Sequence, residues 1–229
     1  MKKILVVDIG GTHVKMMISP EEKRKFDSGP KLSPKELVAK IKEVAADWDF
    51  EAVSIGFPAP VKKGRIMKDP KNLAKGWIGW NFQKSLGKPT RVINDAAMQA
   101  LGSYKGGRML FLGLGTGLGS TLVWDNNVLP LELGDLPYGD GSTIEDHVGK
   151  RGLEKYGKKT WEREVLVALA QLKTAFIAEY VVLGGGNAKQ LKTAPEGVEL
   201  GHNRHAYLGG CRLWEKDART KKDNWAVIS

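Results

Sequence analysis

Cysteine and long apolar runs are nearly absent from the sequence. Cys211 is the only cysteine in 229 residues, which excludes an internal disulfide framework and a zinc site made of several thiolates. The longest uncharged stretch, Met109 to Trp124, is shorter than the ~20 residues of a membrane span and is interrupted by glycine. We therefore expect a cytoplasmic protein without a membrane partner.

Acidic residues are also too few to balance the basic ones. The chain has 26 Asp and Glu residues against 36 Lys and Arg residues, and its formal net charge is +10 at pH 7. This surplus favours an anionic partner. Lysines along a groove suit a linear polyanion, whereas a solvated surface is the alternative interpretation of a basic run. Two basic clusters are present: Lys62, Lys63, Arg65, Lys68, Lys71 and Lys75, and Lys150, Arg151, Lys155, Lys158 and Lys159.

The predicted secondary structure alternates between strands and helices, and the same order occurs twice. Apolar runs bounded by glycine or proline predict strands, and the capping box Ser33-Pro34-Lys35-Glu36 predicts the start of a helix. The first half has predicted strands at 4–9, 14–18, 51–57 and 91–93, a loop at 62–80, and helices from Ser33 to about Trp48 and from Asn94 to about Tyr104. The second half has predicted strands at 109–112, 118–124, 128–131 and 180–183, and helices at 143–155, 160–178, after Gly184 and at about 206–217.

This repetition predicts an α/β protein with two lobes and a cleft between them. We place the N-terminal lobe at residues 1–104 and the C-terminal lobe at residues 105–229, with the last helix packing back on the first lobe. Each lobe contains one glycine-rich turn between two strands. The two turns are therefore expected to face each other as two jaws on a phosphate chain.

Both glycine-rich turns have the composition of a phosphate-binding loop. Asp8 is followed by Gly10, Gly11 and Thr12, so backbone N–H groups can approach an anion while the carboxylate holds a hydrated Mg²⁺. The second turn, Gly113 to Ser120, contains the letters G-x-G-x-x-G but joins two strands. That context excludes a dinucleotide-binding fold, which needs a helix after the glycines. An ordinary hairpin is the alternative interpretation of either turn taken alone.

Asn94 and Asp95 stand where a predicted strand meets a predicted helix. A helix N-cap is the commonest role for either residue type at such a place. The functional alternative makes Asp95 a general base, which takes a proton from a sugar hydroxyl as its oxygen attacks phosphorus. Phosphoryl transfer otherwise needs positioning and charge neutralisation, which two glycine turns, a metal ion and basic residues can supply.

Four motifs follow one another along the chain. They are Asp8-Ile9-Gly10-Gly11-Thr12, Asn94-Asp95-Ala96, Gly113-Leu114-Gly115-Thr116-Gly117 and Leu183-Gly184-Gly185-Gly186-Asn187. In this order they resemble sugar kinases of the ROK family, which implies a two-lobed actin/hexokinase-like (ribonuclease H-like) fold. Three further segments make the chain most similar to the polyphosphate glucokinase branch: Asn72 ahead of Trp77-Ile78-Gly79, Leu131-Glu132-Leu133-Gly134, and Gly209-Gly210-Cys211-Arg212-Leu213-Trp214.

The resemblance implies a role for individual residues, and Asp95 is similar to the catalytic base of the family. The implied sugar-binding residues are Asn72, Asn94, Asp95, Glu132, Asp135 and Glu145. Asp8 is expected to hold Mg²⁺ through water. The implied residues for phosphate or donor binding are Asp8, Gly10, Gly11, Thr12, Lys15, Gly115, Thr116, Gly117, Gly184, Gly185, Gly186 and Asn187.

The implied activity is transfer of a phosphoryl group from polyphosphate, or from ATP, to the 6-hydroxyl of glucose or a related hexose. Asp135 stands where the family usually has histidine, which leaves the identity of the sugar open. Two alternatives stay open: an ATP-dependent kinase for a different sugar or amino sugar, and a non-catalytic sensor of sugar or polyphosphate. The expected partners are a hexose, a polyanionic donor and a second copy in a homodimer. The scattered tryptophans give no stacking platform for nucleic acid.

Overall fold

The first half of the chain forms one five-stranded sheet and a short separate hairpin. Its strands are β1 (Ile4–Ile9), β2 (His13–Met17), β3 (Lys23–Asp27), β4 (Ala52–Phe57), β5 (Val61–Lys62), β6 (Arg65–Ile66) and β7 (Thr90–Asn94). β1 pairs antiparallel with β2 and parallel with β4, and the sheet order is β3-β2-β1-β4-β7. β5 and β6 form the hairpin within the segment where a loop was expected. β3 was missed because its alternating lysine and arginine residues form no apolar run.

The second half repeats this arrangement. Its strands are β8 (Met109–Leu114), β9 (Leu118–Trp124), β10 (Asn127–Leu131), β11 (Pro137–Tyr138), β12 (Ser142–Thr143), β13 (Tyr180–Gly184), β14 (Val198–Leu200) and β15 (Ala226–Val227). The main sheet has the order β14-β13-β8-β9-β10-β15, and β11 pairs with β12 separately. β8 pairs antiparallel with β9 and parallel with β13, as β1 pairs with β2 and β4. The predicted repetition is therefore present in the topology.

The computed structural model describes residues 2–139, 141–191, 193–202 and 204–228. Its helices pack against these two sheets. They are α1 (Pro34–Val44), α2 (Phe82–Leu86), α3 (Asp95–Ser103), α4 (Ile144–Val148), α5 (Lys150–Ala175) and α6 (Arg204–Arg212). The predicted capping box is formed at α1, where Ser33 and Glu36 each accept a hydrogen bond from the other's backbone N–H. No helix in the described ranges is long and apolar enough to cross a bilayer.

Several predicted helix boundaries differ from the structure. α1 ends at Val44, not near Trp48, because the chain tightens there into turns such as the one in which Trp48 N donates to Ala45 O. The break expected between 155 and 160 is confirmed: the backbone at Gly157 is not helical, with a positive φ of 73° that suits glycine, so α5 consists of two helical segments joined at a kink. α6 ends at Arg212 and does not extend to about 217. The residues after Gly185 form only a 3₁₀ turn, Gly186–Gln190.

Alternation along the strands divides the core into three clusters. Odd-numbered residues of β1 pack with α1, whereas Ile4 and Val6 face the opposite side and pack in a central cluster with α3 and α6. Even-numbered residues of β8 pack with α5, whereas Met109 and Phe111 join the central cluster. Because successive side chains of a strand point to opposite faces, α3 and α6 are covered by both sheets.

Glycines allow α3 to approach its neighbours closely. A Cβ atom at Gly102 would overlap the carbonyl oxygen of His205 in α6, and one at Gly56 in β4 would lie 3.3 Å from the Cα of Asp95. On the other sheet, a Cβ at Gly119 of β9 would lie 2.8 Å from the Cβ of Ala96. α6 also contacts β1 and β4. The division into lobes at residues 104 and 105 stays a prediction.

Candidate active site

Two carboxylates lie at the ends of β1 and β7, on either side of β4. Asp8 is 7% exposed, and Asp95 is the half-buried first residue of α3. Burial raises the pKa of both groups. The negative charge of Asp8 raises the pKa of Asp95 further, to about 7, whereas Lys15, opposite Asp8 on β2, partly offsets the shift of Asp8. Ionisation of one carboxyl group of the pair therefore opposes ionisation of the other, and Asp95 keeps its proton up to about pH 7.

The sequence at the start of α3 serves both interpretations of Asn94 and Asp95. Asn94 is the N-cap, and its Oδ1 accepts a hydrogen bond of 3.1 Å from Ala97 N. Asp95 Oδ1 accepts a 2.8 Å hydrogen bond from Ala96 N. The cap fixes the direction in which the helix begins, and it thereby holds the Asp95 carboxylate between the two sheets.

The first glycine turn lies against a predicted sugar-binding residue. Gly10 N donates to His13 O at 3.0 Å, and Ser28 Oγ donates to Gly10 O at 2.6 Å, which fixes the turn. A Cβ atom at Gly11 would lie 3.2 Å from Asn72 Nδ2, so the Asn72 amide packs on the glycine. The exposed Thr12 follows it. The structure thus brings Asn72 to the turn that was predicted to bind phosphate.

The second glycine turn is held by the start of α5 and by the third glycine motif. Lys150 N donates to the carbonyls of Gly115 and Thr116, and Asn187 Nδ2 donates to Gly115 O at 3.0 Å. Glu145 Oε2 accepts a 3.2 Å hydrogen bond from Leu118 N, and a Cβ at Gly117 would overlap that carboxylate oxygen. Glu145, predicted to bind sugar, therefore lies directly against the turn predicted to bind the donor.

Three of the predicted sugar-binding carboxylates share one electrostatic environment. Glu132, Asp135 and Glu145 interact with one another and with Lys71, whose Nζ lies 3.2 Å from Glu145 Oε1. Partial desolvation, and then the charge of Asp135, raises the pKa of Glu132, whereas Lys68 opposes the shift. Glu132 also raises the pKa of Asp95, so these carboxylates and the Asp8–Asp95 pair belong to one site.

The third glycine motif forms one wall of a groove beside the second turn. A Cβ at Gly185, which has a φ of 83°, would overlap the carbonyl oxygen of Leu114, so the chain passes close to the end of β8. Gly184 packs in the same way on the ring of Phe111. The groove is lined by residues that include Gln99, Gly184, Gly185, Lys189, Leu200 and His205. We expect a long phosphate donor or a nucleotide to pass along this wall.

Sequence reasoning missed two features of the site. Lys71 was grouped with a basic cluster, although the structure places its ammonium group among the carboxylates; its position next to Asn72 was the available signal. Gly56 was not singled out, although it allows Asp95 to approach β4. Both features depend on contacts between segments that are far apart in the sequence.

Comparison with known proteins identifies the family of the chain. A sequence model of the ROK family matches residues 4–130, which is more than half of the chain. The chain therefore belongs to the ROK family, and the resemblance seen in its motifs is confirmed. The match ends within β10, so the second glycine turn lies inside it and the third glycine motif lies beyond it.

Similar proteins place the chain near the polyphosphate glucokinase branch. The polyphosphate glucokinase of Mycobacterium tuberculosis (strain ATCC 25177 / H37Ra) is 24% identical in an alignment 221 residues long, which covers 86% of this chain and 82% of that protein. The polyphosphate glucokinase of Mycobacterium leprae (strain TN) is also 24% identical, over 80% of this chain, but the chain spans 63% of that relative's length.

A solved structure confirms the predicted fold. The inorganic polyphosphate/ATP-glucomannokinase of Arthrobacter sp. strain KM has a TM-score of 0.78 and 23% sequence identity, and the match covers 92% of this chain and 97% of that protein. At this identity the likeness establishes the two-lobed fold alone. The activity has to be argued from the residues of the site.

Proposed function

We propose that the chain is a kinase that transfers a phosphoryl group to the 6-hydroxyl of glucose or a related hexose. The observation that carries this proposal is the half-buried Asp95 carboxylate, whose pKa is about 7, between the two sheets. A carboxylate of this pKa is suited to accept a proton near neutral pH. Family membership supports the same function.

The sugar is bound, in this proposal, by residues from both halves of the chain. Asn72 and Asn94 belong to the first half, and Glu132, Asp135 and Glu145 belong to the second. Carboxylates accept hydrogen bonds from ring hydroxyls and amides accept or donate them, so a sugar that lacks one hydroxyl leaves a polar group of the site unpaired. Asp135 is exposed and near Glu132, so we assign it to the rim of the sugar site.

The donor is bound by the glycine turns. The first turn would contact the donor from one side through Gly10, Gly11 and Thr12, together with Lys15. The second turn would contact it from the other side through Gly115, Thr116 and Gly117. The motif from Gly184 to Asn187 continues the second side, since Asn187 donates to the turn at Gly115 O. Gly10 N and Gly115 N already donate within their turns, to His13 O and Gly117 O, so other N–H groups of the turns would bind the phosphate oxygens, without the steric bulk of a side chain.

In the proposed reaction the phosphoryl group moves from the donor to the sugar, and the proton moves from the sugar to Asp95. The sugar O6 attacks the terminal phosphorus of the donor, the O6–P bond forms, and the P–O bond to the leaving phosphate breaks. The O6 proton passes to Asp95 Oδ2, because Oδ1 is held by Ala96 N. The leaving oxygen keeps the electron pair of the broken bond, and nearby N–H groups and lysines stabilise its charge.

Asp8 fits the part of a residue that holds Mg²⁺ through water. It is a buried carboxylate beside Asp95, and a hydrated cation would relieve the repulsion between them. Within the ranges that the structure describes, no group of three or more His, Cys, Asp or Glu residues is arranged to hold a metal. In this proposal Mg²⁺ would also contact the donor's own oxygens, where it would neutralise phosphate charge.

Polyphosphate is our preferred donor because of the basic loop between β5 and the sugar residue Asn72. This loop carries Lys68 and Lys71 close to the acidic groups of the site. A polyanion that contacts several lysines releases counterions on binding, so its affinity falls with salt more steeply than that of a nucleotide.

The homodimer that the family resemblance implies remains a prediction.

A donor-swap assay tests the proposal. The full chain receives glucose, Mg²⁺ and either long-chain polyphosphate or ATP, and glucose 6-phosphate is measured over a range of salt concentrations. Faster, salt-sensitive product formation with polyphosphate is the expected result. Product with ATP alone contradicts the preferred donor but keeps the kinase. Binding of sugar without transfer to any hexose from either donor contradicts the kinase and favours a sensor.

A further inference from the structure

The dipeptide Lys71-Asn72 links the two glycine turns. Asn72 packs on Gly11 of the first turn, and Lys71 reaches Glu145, which itself accepts a hydrogen bond from the second turn at Leu118 N. Two adjacent side chains of the first half thus contact opposite walls of the cleft. A ligand between Asn72 and Glu145 must lie next to the Lys71 ammonium group.

Lys71 is surrounded by negative charge at this position. Its Nζ is 3.2 Å from Glu145 Oε1, and Asp135 and Glu132 also act on it electrostatically. The Lys71 side chain is 78% exposed and that of Glu145 is 30% exposed, so the lysine reaches from solvent towards a less accessible carboxylate. Glu145 therefore already has a cationic partner before any ligand binds.

We propose that Lys71 is a specificity-determining residue of the sugar site: it neutralises Glu145 across the cleft and so selects neutral hexoses over amino sugars with an ammonium group. The inference rests on the proposed function, since it takes these carboxylates to be the sugar site. A neutral hydroxyl donates to a carboxylate whether or not a lysine is paired with it. A substrate ammonium group gains the same carboxylate but is repelled by the lysine.

Without the charge of Lys71, the carboxylates of Glu132, Asp135 and Glu145 would attract a cation. Lys71→Met keeps the length and apolar stem of the side chain and removes its charge. Lys71→Glu reverses the charge, and Lys71→Arg keeps it. Because Lys71 is largely exposed, solvent screens its effect, and we expect changes of about threefold for Lys71→Met and about tenfold for Lys71→Glu.

The test measures the binding of glucose and of glucosamine to the full chain by calorimetry without donor, at a pH that keeps glucosamine protonated. The quantity of interest is the ratio of the two dissociation constants. We expect Lys71→Met and Lys71→Glu to strengthen glucosamine binding relative to glucose binding, and Lys71→Arg to leave the ratio as in the wild type. Lys40→Met, at an exposed position of α1, is the matched control and should not change it.

The outcomes separate this inference from the proposed function. If both sugars bind and the ratio is the same in all variants, Lys71 does not select the sugar, and the inference is wrong while the sugar site stands. If Lys71→Arg shifts the ratio as far as Lys71→Met, shape and not charge is responsible, which also overturns the inference. If the wild type binds neither these sugars nor any other hexose, the proposed function fails and the inference fails with it.

Discussion

Five strands of the second main sheet repeat the order and directions of the first sheet, with β15 added at one edge, but the two sheets place different residues at the equivalent point. The fifth residue of β1 is Asp8, which lies opposite Lys15 and beside Gly56. The fifth residue of β8 is Gly113, which lies opposite Gly119 and beside Gly184. One wall of the cleft therefore has a buried carboxylate with a lysine partner, whereas the other has three glycines.

This difference indicates a division of labour between the walls. The first sheet supplies charge, through Asp8 and through Asp95 at the start of α3. The second sheet supplies close backbone approach at its glycine turn. A carboxylate at Gly113, the equivalent point of the second sheet, would repel the phosphates of a donor, because like charges that lie close together in a cleft raise each other's energy.

The largest effect is expected at the charged wall for Asp95→Asn. The amide cannot accept the proton of the sugar hydroxyl, so kcat should fall by about 10³-fold, or ~4 kcal/mol of transition-state free energy. Steady-state kinetics at saturating sugar and donor measure the change, and circular dichroism checks the fold. Asp125→Asn, on the exposed turn between β9 and β10, is the control. An Asp95→Asn variant with near-normal turnover would exclude Asp95 as the base.

The pKa of Asp95 also gives the direction of two pH effects. Because its folded pKa is about 7, kcat should rise with pH and level off above neutrality. The folded pKa lies above the ordinary value of 3.8, so the protonated form stabilises the fold at low pH, and that contribution is lost as the pH rises through about 7. The free energy of unfolding of Asp95→Asn, relative to that of the wild type, should therefore increase when the pH is raised from mildly acidic to mildly alkaline. Chemical denaturation at both pH values measures it.

Asp8→Asn should have the next largest effect. The variant removes the carboxylate assigned to hydrated Mg²⁺, and kcat should fall by about 10²-fold. It also removes the charge that raises the pKa of Asp95, so the rise of kcat with pH should move to lower pH. The pH profile separates this role from simple damage to the fold. A profile that stays in place would show that the two carboxylates are not coupled.

Gly102→Ala tests the helix that joins the two walls. The added Cβ would overlap the carbonyl oxygen of His205, so α3 and α6 must separate, and the free energy of unfolding should fall by about 2 kcal/mol. Urea denaturation measures the change. Ala39→Met, at an exposed position of α1, should have little effect. Equal stability of Gly102→Ala and the wild type would mean that the helices do not depend on this close crossing.

Gly113→Asp makes the second wall resemble the first. A Cβ at this position would lie 3.3 Å from Phe111 Cε1, a tight contact that requires the Phe111 ring to shift slightly in both this variant and its control. The new charge should repel the donor and raise its KM by about tenfold, with a smaller effect on the KM of the sugar. Gly113→Asn has the same shape without the charge and is the control. Equal donor KM values for the two variants would argue against phosphate binding at this wall.

Local sequence patterns predicted most of the fold. Apolar runs such as those of β1 and β8, the capping box at Ser33 and the N-cap at Asn94 are determined by neighbouring residues, and the repeated order of elements gave the two-lobed fold. β3 was missed because its exposed, alternating charges provide no apolar signal, although backbone pairing with β2 makes it a strand. The short α2 and the edge strands β14 and β15 were missed because segments of two to five residues are too short to show a periodic pattern.

For the site, the sequence by itself determined which residue types are present: the carboxylates, the glycine turns and Asn72. Only the tertiary structure decided how they act on one another. The pKa of Asp95 depends on burial and on Asp8, which is far away in the sequence, and Lys71 meets Glu145 only because the two halves of the chain face each other. Periodicity and turn propensity are local properties of a chain, whereas desolvation and Coulomb interactions depend on distances that exist only after folding.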